Sequence, residues 1–218
     1  MRRRWVALLI VISVLGVGYV LLFTSLFGVR SVEVTGLNRV SRGVVLELAG
    51  VPDRRPMLRV DTDGVEQRVV TLPAVRAVQV SRSWPSKITI EVTERTPVAY
   101  VRAHDGIWLV DSYGVPFHQQ RKQPKRLPEL ELSKVSSADP TTRAVMAVLT
   151  GVPEKLRKRV TAVGARTPGS VEFTLSNGKT VRWGDAAQLE RKSKVLAALL
   201  SRPGDIYDVS SPELPTVS

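Results

Sequence analysis

The feature that most constrains this chain is a run of 23 residues, positions 5–27, without one charged side chain. As an α-helix the run would be ~34 Å long, enough to cross the ~30 Å hydrocarbon core of a bilayer. A cleavable signal peptide has a shorter apolar region, of about 7–15 residues, and ends in small residues. Leu26 and Phe27 stand where those small residues would be needed. The sequence therefore predicts an uncleaved transmembrane helix over residues 5–27.

The charges of the chain indicate its orientation. Arg2, Arg3 and Arg4 precede the run, and a long domain behind such a span is translocated largely regardless of its own charge. We therefore expect residues 1–4 to be a cytoplasmic tail and the carboxyl-terminal region to be extracytoplasmic. The net charge is +12, and without the three leading arginines 29 basic residues stand against 20 acidic ones, scattered along the sequence. This scatter predicts a solvated basic surface and argues against a nucleic-acid partner.

Residues 28–96 begin with the pattern of a small α+β module. Val32 and Val34 alternate with polar residues, which is typical of a half-buried strand. Ser41 can cap a short helix, and Gly50 stands where that helix would end. A strand followed by a helix is therefore predicted.

A second helix and a hairpin complete the module. Asp63 and Glu66 have the spacing of an acidic capping box and predict the start of the second helix. Residues 78–81 and 88–93 then alternate between apolar and polar side chains, which predicts two hairpin strands with Ile90 facing the helices. The predicted order is strand, helix, helix, strand, strand, with the helices on one face of a three-stranded sheet.

Residues 97–210 have the patterns of an antiparallel β domain with a carboxyl-terminal helix. Asn177-Gly178 lies between two apolar stretches and predicts a hairpin whose two turn residues both have positive φ. Asp185 and Gln188 have the spacing of a second capping box. The helix that follows has a leucine face for the core and a charged face made by Arg191, Lys192 and Lys194.

The chain is predicted to end in a short strand and a tail. Residues 205–210 have the character of a final edge strand, and Pro212 and Pro215 interrupt any regular sheet after it. Residues 211–218 are therefore expected to be flexible. The predicted fold class is α+β, with one transmembrane helix preceding both domains.

Three short motifs follow the predicted membrane span in the order Leu72-Pro73-Ala74-Val75, Trp84-Pro85 and Glu94-Arg95-Thr96-Pro97. Their order and spacing resemble the FtsQ/DivIB family of bacterial cell-division proteins. The first domain resembles that family's POTRA domain, and the excess of arginine over lysine resembles actinobacterial members. Asp111 and Gly114, and later Leu127-Pro128, resemble motifs of the family's second domain. The POTRA-domain resemblance rests on Pro73, Val75, Trp84, Pro85, Glu94, Arg95 and Pro97.

The resemblance implies a function in assembly. It implies a non-enzymatic bitopic scaffold of the divisome, located at the septum, that recruits partners and helps to regulate septal peptidoglycan synthesis. The implied partners are FtsB- and FtsL-like bitopic proteins, with septal wall synthases and other divisome proteins beside them. By resemblance, docking falls on the last helix and an edge strand for β-addition, at Arg191, Lys194, Val195, Ile206, Tyr207, Asp208, Val209 and Ser210.

The sequence contains no pattern that indicates catalysis. His104 and His118 are the only histidines, there is no cysteine, and no nucleophile or phosphate-loop motif occurs. Strand alternation places Glu129 and Glu131 on the same strand face, where such carboxylates are usually solvated surface charges rather than a catalytic pair. No cofactor or metal is therefore expected. The alternative function left open is a membrane-anchored binder of anionic cell-wall polymer that uses the surplus positive charge.

Overall fold

The computed structural model describes residues 2–23 and 28–218 and divides the chain into two compact units, Met1–Arg95 and Thr96–Ser218. The first helix, α1, is Arg2–Phe23. Part of the predicted transmembrane run, residues 24–27, lies outside the described residues. Among the helices of the described ranges, none combines the length and the apolar character that a membrane crossing requires.

The first unit beyond α1 has the predicted order of elements. Its sheet has the order β1-β3-β2, with β1 parallel and β2 antiparallel to the central β3. The elements are β1 (Ser31–Thr35), α2 (Arg42–Ala49), a 3-10 turn (Met57–Arg59), α3 (Thr62–Val69), β2 (Val75–Ser83) and β3 (Lys87–Glu94).

The helices cover one face of this sheet, as predicted. Ile88 and Ile90 on β3 are completely buried, and they share one core with Val45 of α2 and with Val65 and Val69 of α3. Alternate residues of β3 therefore face the helices in the predicted register.

The start of α3 differs from the predicted capping box. The cap is Asp61, whose carboxylate accepts a hydrogen bond from the Gly64 N–H at 3.0 Å, so Asp63 already lies in the first turn. Glu66 accepts instead from the Val80 N–H of β2 at 2.7 Å. The predicted cap is therefore wrong by two residues, because the carboxylate that reaches a free N–H of the first turn is that of Asp61.

The second unit is built on one nine-stranded sheet with the order β12-β11-β10-β9-β8-β7-β4-β5-β6. β7 is parallel to both β4 and β8, and β11 is parallel to β10. The sheet is therefore mixed rather than purely antiparallel. Its strands are β4 (Pro97–Ala103), β5 (Gly106–Asp111), β6 (Pro116–Gln120), β7 (Glu129–Glu131), β8 (Val160–Ala165), β9 (Val171–Leu175), β10 (Thr180–Gly184), β11 (Ile206–Asp208) and β12 (Thr216–Val217).

The second unit also contains the helices α4 (Pro140–Gly151), α5 (Glu154–Arg157) and α6 (Leu189–Leu199).

The predicted β9–β10 hairpin is present, but its turn differs from the prediction. The Gly178 N–H bonds the Leu175 carbonyl, and Gly178 has a φ of 80° whereas Asn177 keeps a negative φ. The additional residue Ser176 makes the loop a turn closed by a glycine bulge, which needs only one positive φ.

The end of the chain differs most from the prediction. β11 is not an edge strand, because β10 flanks it on one side and β12 on the other. The tail from 211 to 218, expected to be flexible, returns to form β12, and the Ser218 carbonyl accepts from the Asp205 and Ile206 N–H groups at 2.8 Å each. Pro215 is immediately followed by two residues that can pair, and these suffice for a short strand.

Candidate docking site at the carboxyl-terminal sheet edge

The outer side of β12 is one end of the nine-stranded sheet. Ile206 and Ser218 exchange both backbone hydrogen bonds, at 2.8 and 3.0 Å. In an antiparallel ladder the next pair is not hydrogen-bonded, and that pair is Tyr207 with Val217. The N–H and C=O of Val217 therefore point away from β11, toward the free edge of the sheet.

Tyr207 is a fixed part of the fold rather than an exposed contact. Its ring is completely buried, and the Lys179 ammonium lies 5.0 Å from the ring centroid and donates to the hydroxyl at 2.7 Å. The hydroxyl oxygen also lies 2.8 Å from the Arg202 carbonyl and 3.0 Å from the Gly204 carbonyl. Tyr207 thereby fixes the turn between α6 and β11.

The residues after Tyr207 are also bonded within the unit. Val209 is completely buried, and its N–H bonds the Arg182 carbonyl of β10 at 2.9 Å. Asp208 accepts from the N–H of Ser210 at 2.9 Å and from its hydroxyl at 2.6 Å. Ile206 and Asp208 are half-buried, and Ser210 is exposed. The sequence-based prediction that residues 206–210 form a free backbone edge is therefore wrong.

Lys192 does not belong to the charged face on which the sequence placed it. Only 1% of the residue is exposed, and its ammonium bonds the Asp185 carboxylate at 2.7 Å and the Asp185 carbonyl at 3.1 Å. The Lys192 ammonium, and after it the Ala187 N–H, hold the pKa of the Asp185 carboxyl below its usual value. Gln188, expected at the third position of a capping box, is itself the N-cap with a φ of 51° and makes no side-chain cap bond. Helix α6 therefore begins one turn later than the box would require.

The remaining predicted contact residues of α6 lie near the tail. Arg191 is exposed and pairs with Glu213 at 2.8 Å, which ties the helix to the segment that leads into β12. Lys194 is exposed and pairs with Glu190 at 2.6 Å, and Val195 is half-buried against the core. The Arg191–Glu213 pair is thus the link between α6 and the segment before β12 that the described ion pairs show.

In the first unit, the motif residue Glu94 organises the loop that follows β1. Its carboxylate accepts hydrogen bonds from the backbone N–H groups of Asn38, Arg39 and Val40 at 2.8–3.0 Å. Partial burial opposes ionisation, but the three donors outweigh it and hold the pKa of the Glu94 carboxyl below its usual value. This motif position therefore has a structural task within the domain.

The other motif residues mark the ends of the first hairpin. Arg95 donates to the Pro73 carbonyl through Nε at 3.1 Å and to the Ala74 carbonyl through its backbone N–H at 2.8 Å. Val75 is completely buried. The remaining three lie at the β2–β3 turn and at the start of β4, namely Trp84, Pro85 and Pro97.

The carboxylates and histidines singled out in the sequence are exposed or take part in contacts between strands. In residues 2–23 and 28–218 no cluster of three or more metal-ligating side chains occurs, and His104 and His118 are both exposed. Glu129 instead accepts from the Tyr100 hydroxyl at 2.8 Å and from Arg102 Nε at 2.7 Å, which pins β7 to β4.

Two family models match the two units of the chain. A POTRA domain of the FtsQ type matches residues 27–95, and the carboxyl-terminal domain of cell division protein FtsQ/DivIB matches residues 99–211. A solved structure, the trans isomer of the major extracytoplasmic domain of DivIB from Geobacillus stearothermophilus, aligns with 51% of this chain and 98% of its own at 16% identity and a TM-score of 0.37. A likeness of that size is too weak to define the fold.

Curated relatives match over nearly the whole chain. Cell division protein FtsQ of Mycolicibacterium smegmatis is 39% identical over 213 residues, which is 98% of this chain and 63% of the relative. The proteins of the same name from Streptomyces bingchenggensis and Streptomyces coelicolor are 36% and 34% identical, and the matches cover 93% and 100% of this chain and 80% and 89% of theirs. The chain therefore spans slightly less than two thirds of the Mycolicibacterium smegmatis protein. With both units matched by their own models, the chain belongs to the FtsQ/DivIB family of cell division proteins.

Proposed function

We propose that this protein is a non-enzymatic bitopic scaffold of the division machinery, which recruits division proteins and helps to regulate septal peptidoglycan synthesis. The observation that supports this most is the outer edge of β12, where Val217 presents a backbone donor and acceptor. An edge strand of this kind is completed by a partner strand, whose alternate side chains then set the specificity.

The proposal includes a membrane anchor at the amino terminus. Residues 1–4 would lie in the cytoplasm, residues 5–27 would cross the membrane, and the POTRA domain (28–96) and the β domain (97–210) would lie outside it at the septum. The support is the uncharged run in the sequence, of which α1 accounts for the part up to Phe23.

The proposed partners are FtsB- and FtsL-like bitopic proteins, with septal wall synthases as further members of the assembly. We place their docking on the outer edge of β12, one strand beyond the position inferred from sequence. Leu214, which is 81% exposed and lies two residues before β12, offers an apolar contact to an added strand. Arg191 is joined by Glu213 to the segment that leads into β12, and Lys194 lies three residues further along α6. Both would contribute weak, salt-sensitive attraction to an acidic partner.

The test is the affinity of the full chain for the extracytoplasmic segment of its FtsB-like partner, measured for Val217→Pro and Val217→Ala. Proline removes the outward N–H and places a ring at the edge, whereas alanine removes the same side-chain packing and keeps the N–H. Losing one hydrogen bond of about 1 kcal/mol weakens binding about five-fold, and obstruction by the ring weakens it further.

Both variants should melt within a few degrees of each other, because Val217 makes no backbone bond to β11. Equal affinities of the proline and alanine variants would contradict docking by strand addition at β12.

A further inference from the structure

A second concave surface lies at another place on the β domain. Because β4, β7 and β8 are parallel neighbours, their first residues stand side by side at one end of the sheet. The segments that lead into them, around Thr96, residues 123–128 and residues 154–159, therefore converge there. Together with Ser176 of the β9–β10 turn they enclose an open cleft of about 1150 Å³, which we call the basic cleft.

The charge of the basic cleft is strongly one-sided. Lys125 and Arg126 come from the segment before β7, and Arg157 and Lys158 come from the end of α5. Among the described residues that line the cleft, Glu154 is the one acidic residue, and it pairs with Lys158 at 2.7 Å. In the part of the chain that the structure describes, the other three cations form no ion pair. Among the described residues, Lys125 and Arg126 therefore have no counter-charge within the cleft. Arg157 makes no ion pair, but it lies near enough to Glu154 to help Lys158 lower the pKa of that carboxyl.

The surface between these cations is apolar. Val98 and Leu127 are half-buried and Val160 is almost fully buried, so that the cleft combines an aliphatic floor with a cationic rim. Thr161 and Ser176 add hydroxyl groups at one side. Its volume is slightly above the roughly 300–1,000 Å³ of small-molecule pockets, which suits a short length of peptide.

We propose that the basic cleft binds an extended peptide segment of a partner protein in which acidic and apolar residues are interspersed. The acidic residues meet the three unpaired cations, and the apolar residues cover Val98 and Leu127. A phosphate-rich or sugar polymer would satisfy the rim but leave the aliphatic floor in water. A second copy of this chain is disfavoured as the occupant, because its net charge is +12.

The test measures fluorescence anisotropy of a labelled decapeptide of alternating Glu and Leu, titrated with the full chain in neutral detergent. Two comparison peptides separate the contribution of the acidic side chains from that of the apolar ones. One alternates Gln and Leu, and the other alternates Glu and Gly. We expect saturable binding only of the Glu-Leu peptide below about 1 mM. Inorganic polyphosphate serves as the competitor that represents an anionic polymer.

The double variant Arg126→Glu/Arg157→Glu should weaken binding about ten-fold at low salt and less at high salt, since exposed charges are screened. Leu127→Ser should weaken it several-fold by exposing the floor. The matched control is Arg76→Glu/Arg143→Glu, which reverses two exposed arginines outside the cleft and should leave binding unchanged. Val217→Pro should also bind the peptide normally, which separates this site from the edge of β12.

Three outcomes would overturn the proposal. These are equal binding of the Glu-Gly and Glu-Leu peptides, insensitivity to Leu127→Ser, and an equal loss in the control double variant. Displacement of the peptide by polyphosphate together with either of the first two results would identify the cleft as a site for anionic polymer instead.

Discussion

The ion pair between the buried Lys192 ammonium and the partly exposed Asp185 carboxylate predicts different costs for removing its two partners. The Lys192 side chain is 2% exposed, whereas that of Asp185 is 59% exposed. Replacing Asp185 by Ala leaves a buried ammonium with the Asp185 main-chain carbonyl as its remaining hydrogen-bond partner. Replacing Lys192 by Met removes the buried charge and keeps a similar side-chain volume, so no buried charge is left without a partner.

The magnitudes follow from these exposures. A charge-assisted hydrogen bond contributes about 1.5–3 kcal/mol, and breaking a fully buried pair costs about 3–5 kcal/mol. Because Asp185 is partly solvated, we expect Asp185→Ala to cost about 2–3 kcal/mol, which lowers the melting temperature by about 8–12 °C at ~4 °C per kcal/mol. Lys192→Met should stay within about 1 kcal/mol of the native chain.

The assay is urea denaturation of the full chain in detergent, followed by tryptophan fluorescence, since Trp183 is completely buried and lies two residues before Asp185. Glu190→Ala is the matched control, because it breaks the exposed pair with Lys194 on the same helix and should destabilise the chain far less than Asp185→Ala. The reasoning is refuted if Asp185→Ala and Lys192→Met cost the same, or if Glu190→Ala costs as much as Asp185→Ala.

Three further predictions concern the rest of the chain. Ile90→Asp should unfold the POTRA domain, because an unpaired carboxylate in a fully buried site costs several kcal/mol, which is comparable to the stability of a small domain. Thr93→Asp, on the exposed face of the same strand, is the control. Equal melting temperatures of the two variants would contradict the register. Glu94→Gln should abolish a pH-dependent part of that domain's stability. Because the pKa of Glu94 is lower in the folded state, its contribution to the free energy of unfolding is complete above the unfolded pKa near 4.5 and is lost as the pH falls through the folded pKa. The free energies of unfolding from urea titrations at about pH 7 and about pH 3 should therefore differ less for the variant than for the native chain. A periplasm-type reporter fused after Ser218 should be active only outside the cytoplasm, and Val14→Arg should weaken membrane insertion by about 2.5–3.5 kcal/mol; a cytoplasmic fusion would refute the anchor.

The first unit was predictable from sequence because its signals are local. Alternation along β3 placed Ile90 toward the helices, and Gly50 ends α2 with a φ of 55° as expected. Periodicity and helix-ending glycines act within a few residues, so they survive the packing of the domain. The choice between Asp61 and Asp63 as a cap was not predictable, since both have suitable side chains and only the folded turn decides between them.

The candidate site was harder to predict because it depends on long-range pairing. Lys192 has the sequence context of an exposed helix face, and only the position of Asp185 at the end of β10 makes its burial possible. β12 is two residues long and follows Pro215, so it carries almost no periodic signal. Residues 216–217 pair with β11, so the free edge of the sheet lies on β12, one strand beyond the predicted position.

Amide hydrogen exchange of Val217 in the full chain, with and without the FtsB-like extracytoplasmic segment, tests the central claim most directly. Docking by strand addition predicts that the Val217 amide exchanges readily in the free protein and becomes protected in the complex. Amides of β6, at the opposite edge of the sheet, should be unaffected. An unchanged Val217 amide in a saturated complex would contradict the account, and protection confined to β6 would place the docking edge at the other end of the sheet.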